Sequence, residues 1–93
     1  MERVINSKTK LKTIGDVVYA FNEDGAYIYK VNKMIGSICA FEDVIDGVKL
    51  VGVGKAAFCN CTELEKLFLP SSINYICEDA FYNCNAQVEF YKE

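Results

Sequence analysis

Few residues in this chain have the chemistry of a reactive centre. There is no histidine, which excludes histidine-based triads, histidine-ligated catalytic zinc and imidazole acid–base steps. Five cysteines remain: Cys39, Cys59, Cys61, Cys77 and Cys84. The last four are separated by one, fifteen and six residues. None of these gaps is the C-x-x-C of a structural zinc site, so neither metal nor cofactor is expected. Cys59 and Cys77 are the candidates for a thiol-dependent activity, the non-binding alternative for this chain. A reactive thiolate also needs a neighbouring cation or base, and Lys55 and Lys66 are the nearby cations in sequence.

Paired carboxylates occur at Glu23-Asp24, Glu42-Asp43 and Glu78-Asp79. Such pairs can move protons or bind calcium, but each falls at an expected turn or corner, where solvated acids are ordinary. Gly52-Val53-Gly54-Lys55 lacks the first half of a phosphate loop and has Ala56 in place of its hydroxyl residue. Asn60-Cys61-Thr62 has the glycosylation format, which matters only in a secreted protein. These residues predict a non-enzymatic protein.

Composition points the same way. Ninety-three residues, 52% apolar and 25% charged, make one small globular domain with a limited core. No stretch approaches the roughly 20 apolar residues of a membrane span. Met1-Glu2-Arg3 opens no basic-then-apolar leader. With an odd thiol count, this predicts a cytoplasmic setting and reduced cysteines, or a surface or secreted setting if the chain is a fragment of a longer one. Net charge is −3, with Arg3, Lys8, Lys10 and Lys12 making residues 1–12 basic and the remainder acidic. An acidic body repels phosphate, so neither nucleic acid nor membrane is an expected partner.

The elements that position these residues are legible as patterns. Residues 1–12 form a basic N-terminal segment. Residues 13–33 read as a β-hairpin: the runs Val17–Phe21 and Tyr27–Val31 flank Asn22-Glu23-Asp24-Gly25, whose glycine suits a tight turn. Alternation puts Val17, Tyr19 and Phe21 on one face of the first strand, and Tyr27, Tyr29 and Val31 on one face of the second. Residues 34–93 contain an internal repeat. Ala57-Phe58-Cys59-Asn60-Cys61 returns as Ala80-Phe81-Tyr82-Asn83-Cys84, 23 residues later. The match extends to Leu50 with Ile73, Val53 with Ile76, and Leu67 with Phe90. Between the copies, Leu64-Glu65-Lys66-Leu67-Phe68-Leu69 fits L-x-x-L-x-L. Leu67 and Leu69 alternate as a core-facing strand, Pro70-Ser71-Ser72 ends it, and Ala80, Phe81 and Cys84 fit one short helical turn. A single coil cannot bury its apolar side, so coils must stack.

With its L-x-x-L-x-L-Pro-Ser-Ser-Ile and Ala-Phe-x-Asn-Cys elements, the chain resembles the BspA-type leucine-rich repeat family over roughly residues 15–91. Phe21-Asn22-Glu23-Asp24-Gly25 resembles the hairpin that opens such domains, and Val44-Ile45-Asp46-Gly47-Val48 a longer first coil. The resemblance implies a mostly β or α+β fold: a short solenoid with a parallel sheet, capped by an N-terminal hairpin. Strands are expected near 38–41, 66–69 and 88–91. The core-facing set is Cys39, Phe41, Leu50, Val53, Phe58, Cys61, Leu64, Leu67, Leu69, Ile73, Ile76, Phe81, Cys84, Val88 and Phe90. In the first coil Cys39 aligns with Leu67 and Phe41 with Leu69, and the extra residues form a bulged corner around Ile45-Asp46-Gly47.

If Leu67 and Leu69 face inward, Lys66 and Phe68 face outward. Adding 23 sets Glu89 beside Lys66 and Tyr91 beside Phe68, with Ile38 and Ala40 in the same rows. These six residues form the expected partner-binding patch, unless the hairpin folds over them. The reading is of a protein-binding module acting through this sheet face and the open solenoid end. Its forms are a small inhibitor or effector encoded by a phage or mobile element, or a repeat fragment of a surface adhesin. The last coil, with Val88, Phe90 and Tyr91 and no polar capping repeat, predicts a homodimer or a bound protein at that end.

Overall fold

The structure is a computed structural model and describes residues 8–92. Nine strands and connecting turns make up the described residues, with no helix among them. The chain winds between two sheets. One is mixed and curled, in the order β1 (Lys10–Ile14), β2 (Val17–Asn22), β3 (Gly25–Val31), β6 (Val48–Val53) and β5 (Val44–Ile45), with β8 (Tyr75–Ile76) also pairing β6. The other is parallel, in the order β4 (Ile38–Ala40), β7 (Lys66–Pro70) and β9 (Gln87–Tyr91). The three strands expected in the coils are present, and the first-coil alignment holds, since Cys39 pairs with Leu67.

The hairpin forms where the sequence places it, with Asn22 opposite Gly25. The Asn22 side-chain oxygen accepts the Asp24 N–H at 2.8 Å, and Gly25 has φ of +138°. Its faces differ from simple alternation. Val18 pairs with Lys30 and Tyr19 with Ile28, leaving Tyr29 as an unpaired bulge residue. The bulge returns Val31 to the side of Ala26 and Ile28, against the main core. Tyr27 and Tyr29 lie on the opposite side with Ala20, Val51, Tyr75 and Cys77. Tyr27 and Tyr29 therefore do not share a face with Val31. The strand preceding the hairpin, β1, starts inside the basic segment, and its Lys12 Nζ meets the Asp46 carboxylate at 2.7 Å.

The first-coil insertion is a second tight hairpin, not a bulged corner. Val44 pairs with Lys49 and Ile45 with Val48, around Asp46 (φ +52°) and Gly47 (φ +83°). Two successive positive φ values make the turn whose twist suits a two-residue hairpin.

The Ala-Phe-x-Asn-Cys repeats are runs of overlapping turns rather than helical turns. Ala57, Cys59 and Cys61 donate their N–H groups to the carbonyls of Gly54, Ala56 and Phe58; Ala80, Tyr82 and Cys84 do the same to Cys77, Asp79 and Phe81. Positive φ recurs at Ala56 and Asn60, and again at Asp79 and Asn83. A left-handed residue every fourth position cannot propagate a right-handed helix. The two turns are stitched together: Phe58 N–H reaches Ala80 C=O at 2.8 Å, Asn60 N–H reaches Tyr82 C=O at 3.0 Å, and Asn83 Nδ2 donates to Asn60 Oδ1 at 2.8 Å.

Between the sheets, Leu50, Val53, Phe58, Cys61, Leu67 and Leu69 are fully buried. An aromatic row runs along the solenoid. Tyr19 meets Phe41 edge-on at 6.3 Å, Phe41 meets Phe58 edge-on at 6.0 Å, and Phe58 stacks on Phe81 at 5.1 Å. Such ring contacts are worth about 0.5–1.5 kcal/mol each beyond the area they bury. Tyr19 ties the hairpin into this row, so β2 closes the N-terminal end of the core. Ile76 and Phe90 depart from the expected core set, being 42% and 53% exposed. Both have the expected phase, as register partners of buried Val53 and Leu69. They stand in the last coil, where no further strand among the described residues covers their flanks.

Candidate protein-binding surface

The outer face of the parallel sheet follows from alternation. Leu67 and Leu69 are fully buried, so Lys66 and Phe68 point away from the core. Ile38 pairs with Lys66 and Ala40 with Phe68. Ile38 is 65% exposed, Ala40, Lys66 and Glu89 are exposed, and Phe68 is half-buried. The hairpin does not fold over this face: Val17, Tyr19, Ala26 and Ile28 pack in the core on the other side, with Leu67 and Leu69.

The third strand is displaced from its expected place. Lys66 pairs with Gln87, Phe68 with Glu89 and Pro70 with Tyr91, an offset of 21 residues. Glu89 thus lies beside Phe68 rather than Lys66, and Tyr91 lies beside Pro70 rather than Phe68. The cause is the passage from turn to strand. Thr62–Glu65 separate Cys61 from β7, whereas only Asn85 and Ala86 separate Cys84 from β9. The turns keep the 23-residue period and the strands do not. Tyr91 is also held, because its hydroxyl donates to the Phe41 carbonyl beyond the end of β4. That bond clasps the two outer strands across β7. The patch is therefore an apolar centre, Ile38, Ala40 and Phe68, with Lys66 and Glu89 beside it and Tyr91 fixed at one end.

The thiols separate into distinct environments. Cys61 is buried and Cys39 half-buried. Burial pushes the Cys39 thiol up to about 11, aided by Cys61 and Asp16. Burial also raises the Cys61 thiol, with Cys84 and Cys59 adding to it and Lys30 opposing. Cys39 and Cys61 are therefore protonated at neutral pH and poor nucleophiles. Cys59 and Cys77 are not brought together. Cys77 packs with the Tyr27 cluster on the outer side of the mixed sheet, while Cys59 lines a cleft of about 590 Å³ with Asp16, Lys30, Lys33 and Asn60. This cleft joins the hairpin to the turn of the second coil, and no local motif in the sequence announces it. The three carboxylate pairs lie outside the strands, Glu23-Asp24 and Glu78-Asp79 in turns and Glu42-Asp43 in the irregular segment between β4 and β5.

Stacked coils, each contributing one strand to a parallel sheet and stitched by repeated turns, define a leucine-rich-repeat solenoid. The chain belongs to the BspA type leucine rich repeat region (6 copies), whose family model matches residues 36–91, more than half of its length. No curated protein and no solved structure matches the chain. Repeats of this family generally serve protein binding and are typically non-catalytic.

Proposed function

We propose that this chain is a non-enzymatic protein-binding module whose contact surface is the outer face of the parallel sheet. One observation carries the reading: Ile38, Ala40 and Phe68 form a contiguous apolar patch on a sheet face that the rest of the described residues leave open. Contiguous exposed apolar surface marks interaction sites. An aromatic ring anchored at its centre concentrates binding energy. The flanking Lys66 and Glu89 supply charges of both signs, which favours register and specificity over non-specific adhesion.

The test compares wild type with Phe68→Ala as bait in the native host, followed by affinity measurement on each protein captured. Phe68→Ala is expected to weaken binding by roughly 1–3 kcal/mol and to leave the melting temperature nearly unchanged. Tyr91→Ala is a poorer probe, because it also removes the clasp to Phe41. A sharp fall in melting temperature with binding intact would show that Phe68 is part of the core and that this face is not the site.

A further inference from the structure

We infer that the cleft between the hairpin and the turn of the second coil binds a small organic anion, a phosphate monoester or a dicarboxylate, seated on Lys30 and Lys33. The inference uses no residue of the outer sheet face, so either reading can fail alone.

The cleft is assembled from both ends of one strand pairing. Thr13, Val18 and Lys30 are successive register partners on β1, β2 and β3, so their side chains share one face. The adjacent pair, Val17 and Val31, packs in the core, which sets this row on the opposite side of the sheet. One rim is the β1–β2 turn. There the Asn32 N–H donates to the Asp16 carbonyl at 2.8 Å, and Asn32 Nδ2 donates to the Asp16 carboxylate at 3.4 Å. The other rim is the second-coil turn with Cys59 and Asn60. The Val31 N–H holds it against β3 through the Ala57 carbonyl at 2.8 Å, and the Asn60 N–H ties it to the Tyr82 carbonyl at 3.0 Å. Both rims are thus fixed by bonds within the fold, and little ordering is left for a ligand to impose.

What those bonds leave unspent decides the ligand. Asn60 Oδ1 is taken by Asn83 Nδ2, which leaves Asn60 Nδ2 as a donor. Asn32 Oδ1 is taken by the Met34 N–H at 3.0 Å. The ammonium groups of Lys30 and Lys33 have no ion pair or hydrogen bond among the described residues. The one carboxylate in the lining, Asp16, is already bonded to Asn32. A cleft in an otherwise acidic body is therefore locally cationic and supplied chiefly with donors, which call for a charged acceptor. Two lysines suit a dianion, and lysine serves phosphate and carboxylate alike as a point charge. The volume of about 590 Å³ falls in the range of small-molecule sites. Val18 and Val31 give it an apolar lining that an inorganic ion would not use and a carbon skeleton would.

The test is an amide-resolved NMR titration at low salt with glycerol 3-phosphate, succinate, inorganic phosphate and, as neutral control, glycerol. Saturable shifts are expected at Lys30, Asn32, Lys33, Cys59 and Asn60 with glycerol 3-phosphate or succinate, and their order identifies the preferred anion. Inorganic phosphate should bind more weakly and glycerol not at all. Combining Lys30→Gln with Lys33→Gln should raise the dissociation constant at least about tenfold. Lys49→Gln removes the same charge from exposed β6, outside the cleft, and should change it less than about twofold. Phe68→Ala should bind the anion as wild type does. Asn60→Asp keeps the acceptor for Asn83 and removes the donor, and it should weaken binding even if the double lysine variant fails to fold. Absence of saturation in the millimolar range overturns the inference. So does an equal loss in Lys49→Gln and the cleft variants, or inorganic phosphate bound as tightly as both organic anions.

Discussion

Gly52→Ala is the sharpest test of how the two coils are joined. Gly52 lies on β6 between Tyr27 of β3 and Tyr75 of β8, its register partners on either side. A Cβ there would stand 2.6 Å from two Tyr27 ring carbons and 2.9 Å from the Tyr75 carbonyl oxygen. The Tyr27 ring has little room to retreat: it is fully buried, with Tyr75 edge-on at 6.2 Å. The backbone of Gly52 is not in the left-handed region, so alanine by itself would gain about 0.4–1 kcal/mol through the unfolded chain. Overpacking costs about 1–3 kcal/mol, and contact with both a fixed ring and a ladder carbonyl places it near the top of that range. The net expectation is a loss of about 2 kcal/mol, or a melting temperature lower by roughly 8–16 °C for a domain of this size. Thermal and urea unfolding measure it. In a Tyr27→Ala background the added methyl meets no ring, so the double-mutant cycle should show at least about 1 kcal/mol of coupling. A Gly52→Ala variant as stable as wild type, or additive with Tyr27→Ala, would refute the packing argument.

Two further outcomes follow from buried groups. The Tyr27 hydroxyl is buried without a hydrogen-bond partner among the described residues, so Tyr27→Phe should leave stability unchanged or raise it by up to about 1 kcal/mol; a lowered urea midpoint would reveal a bond to that oxygen. Burial raises the Cys39 thiol from 9.0 to about 11 and the Tyr19 hydroxyl from 10.0 to about 12. The native state therefore holds these protons more tightly than the unfolded chain, and their contribution is complete below pH 9 and lost as pH climbs through about 11 and then about 12. Urea midpoints should be flat with respect to these groups up to pH 9 and decline above it, and Cys39→Ala should make the earlier decline shallower, the remainder belonging to the buried Cys61 thiol; a decline unchanged in that variant would refute the assignment.

The solenoid was legible because its determinants are local and repeated. Leu67 and Leu69 bracket an outward residue, Pro70 closes the strand, and Ala-Phe-x-Asn-Cys recurs, so strand phase and coil order could be read from residue types alone. The hairpin turn was equally local. What escaped was settled between distant segments. The Tyr29 bulge is a property of how β3 registers against β2, and nothing in residues 27–31 marks which one goes unpaired. The turn conformation of Ala80–Cys84 escaped because its short apolar spacing also suits a helix; the positive φ at Asp79 and Asn83 decides against one. Asp46-Gly47 carried a usable hairpin signal, but the hairpin it builds is only two pairs long.

The binding face shows a different limit. Which side of each strand faces out is a period-two property, and it held for Ile38, Ala40, Lys66, Phe68 and Glu89. Which residues stand side by side depends on the length of every connection before them. Two residues fewer between Cys84 and β9 than between Cys61 and β7 slide the last strand by two. A slip of two preserves the face and changes every neighbour, so Glu89 comes to Phe68 while Tyr91 passes Pro70 and reaches the Phe41 carbonyl. The same distinction explains Phe90 and Ile76. Phase is set within a coil, whereas burial is conferred by the coil that follows. A residue can therefore point inward and still stand in water, and at this end of the solenoid the two largest such residues, Phe90 and Ile76, belong to opposite sheets.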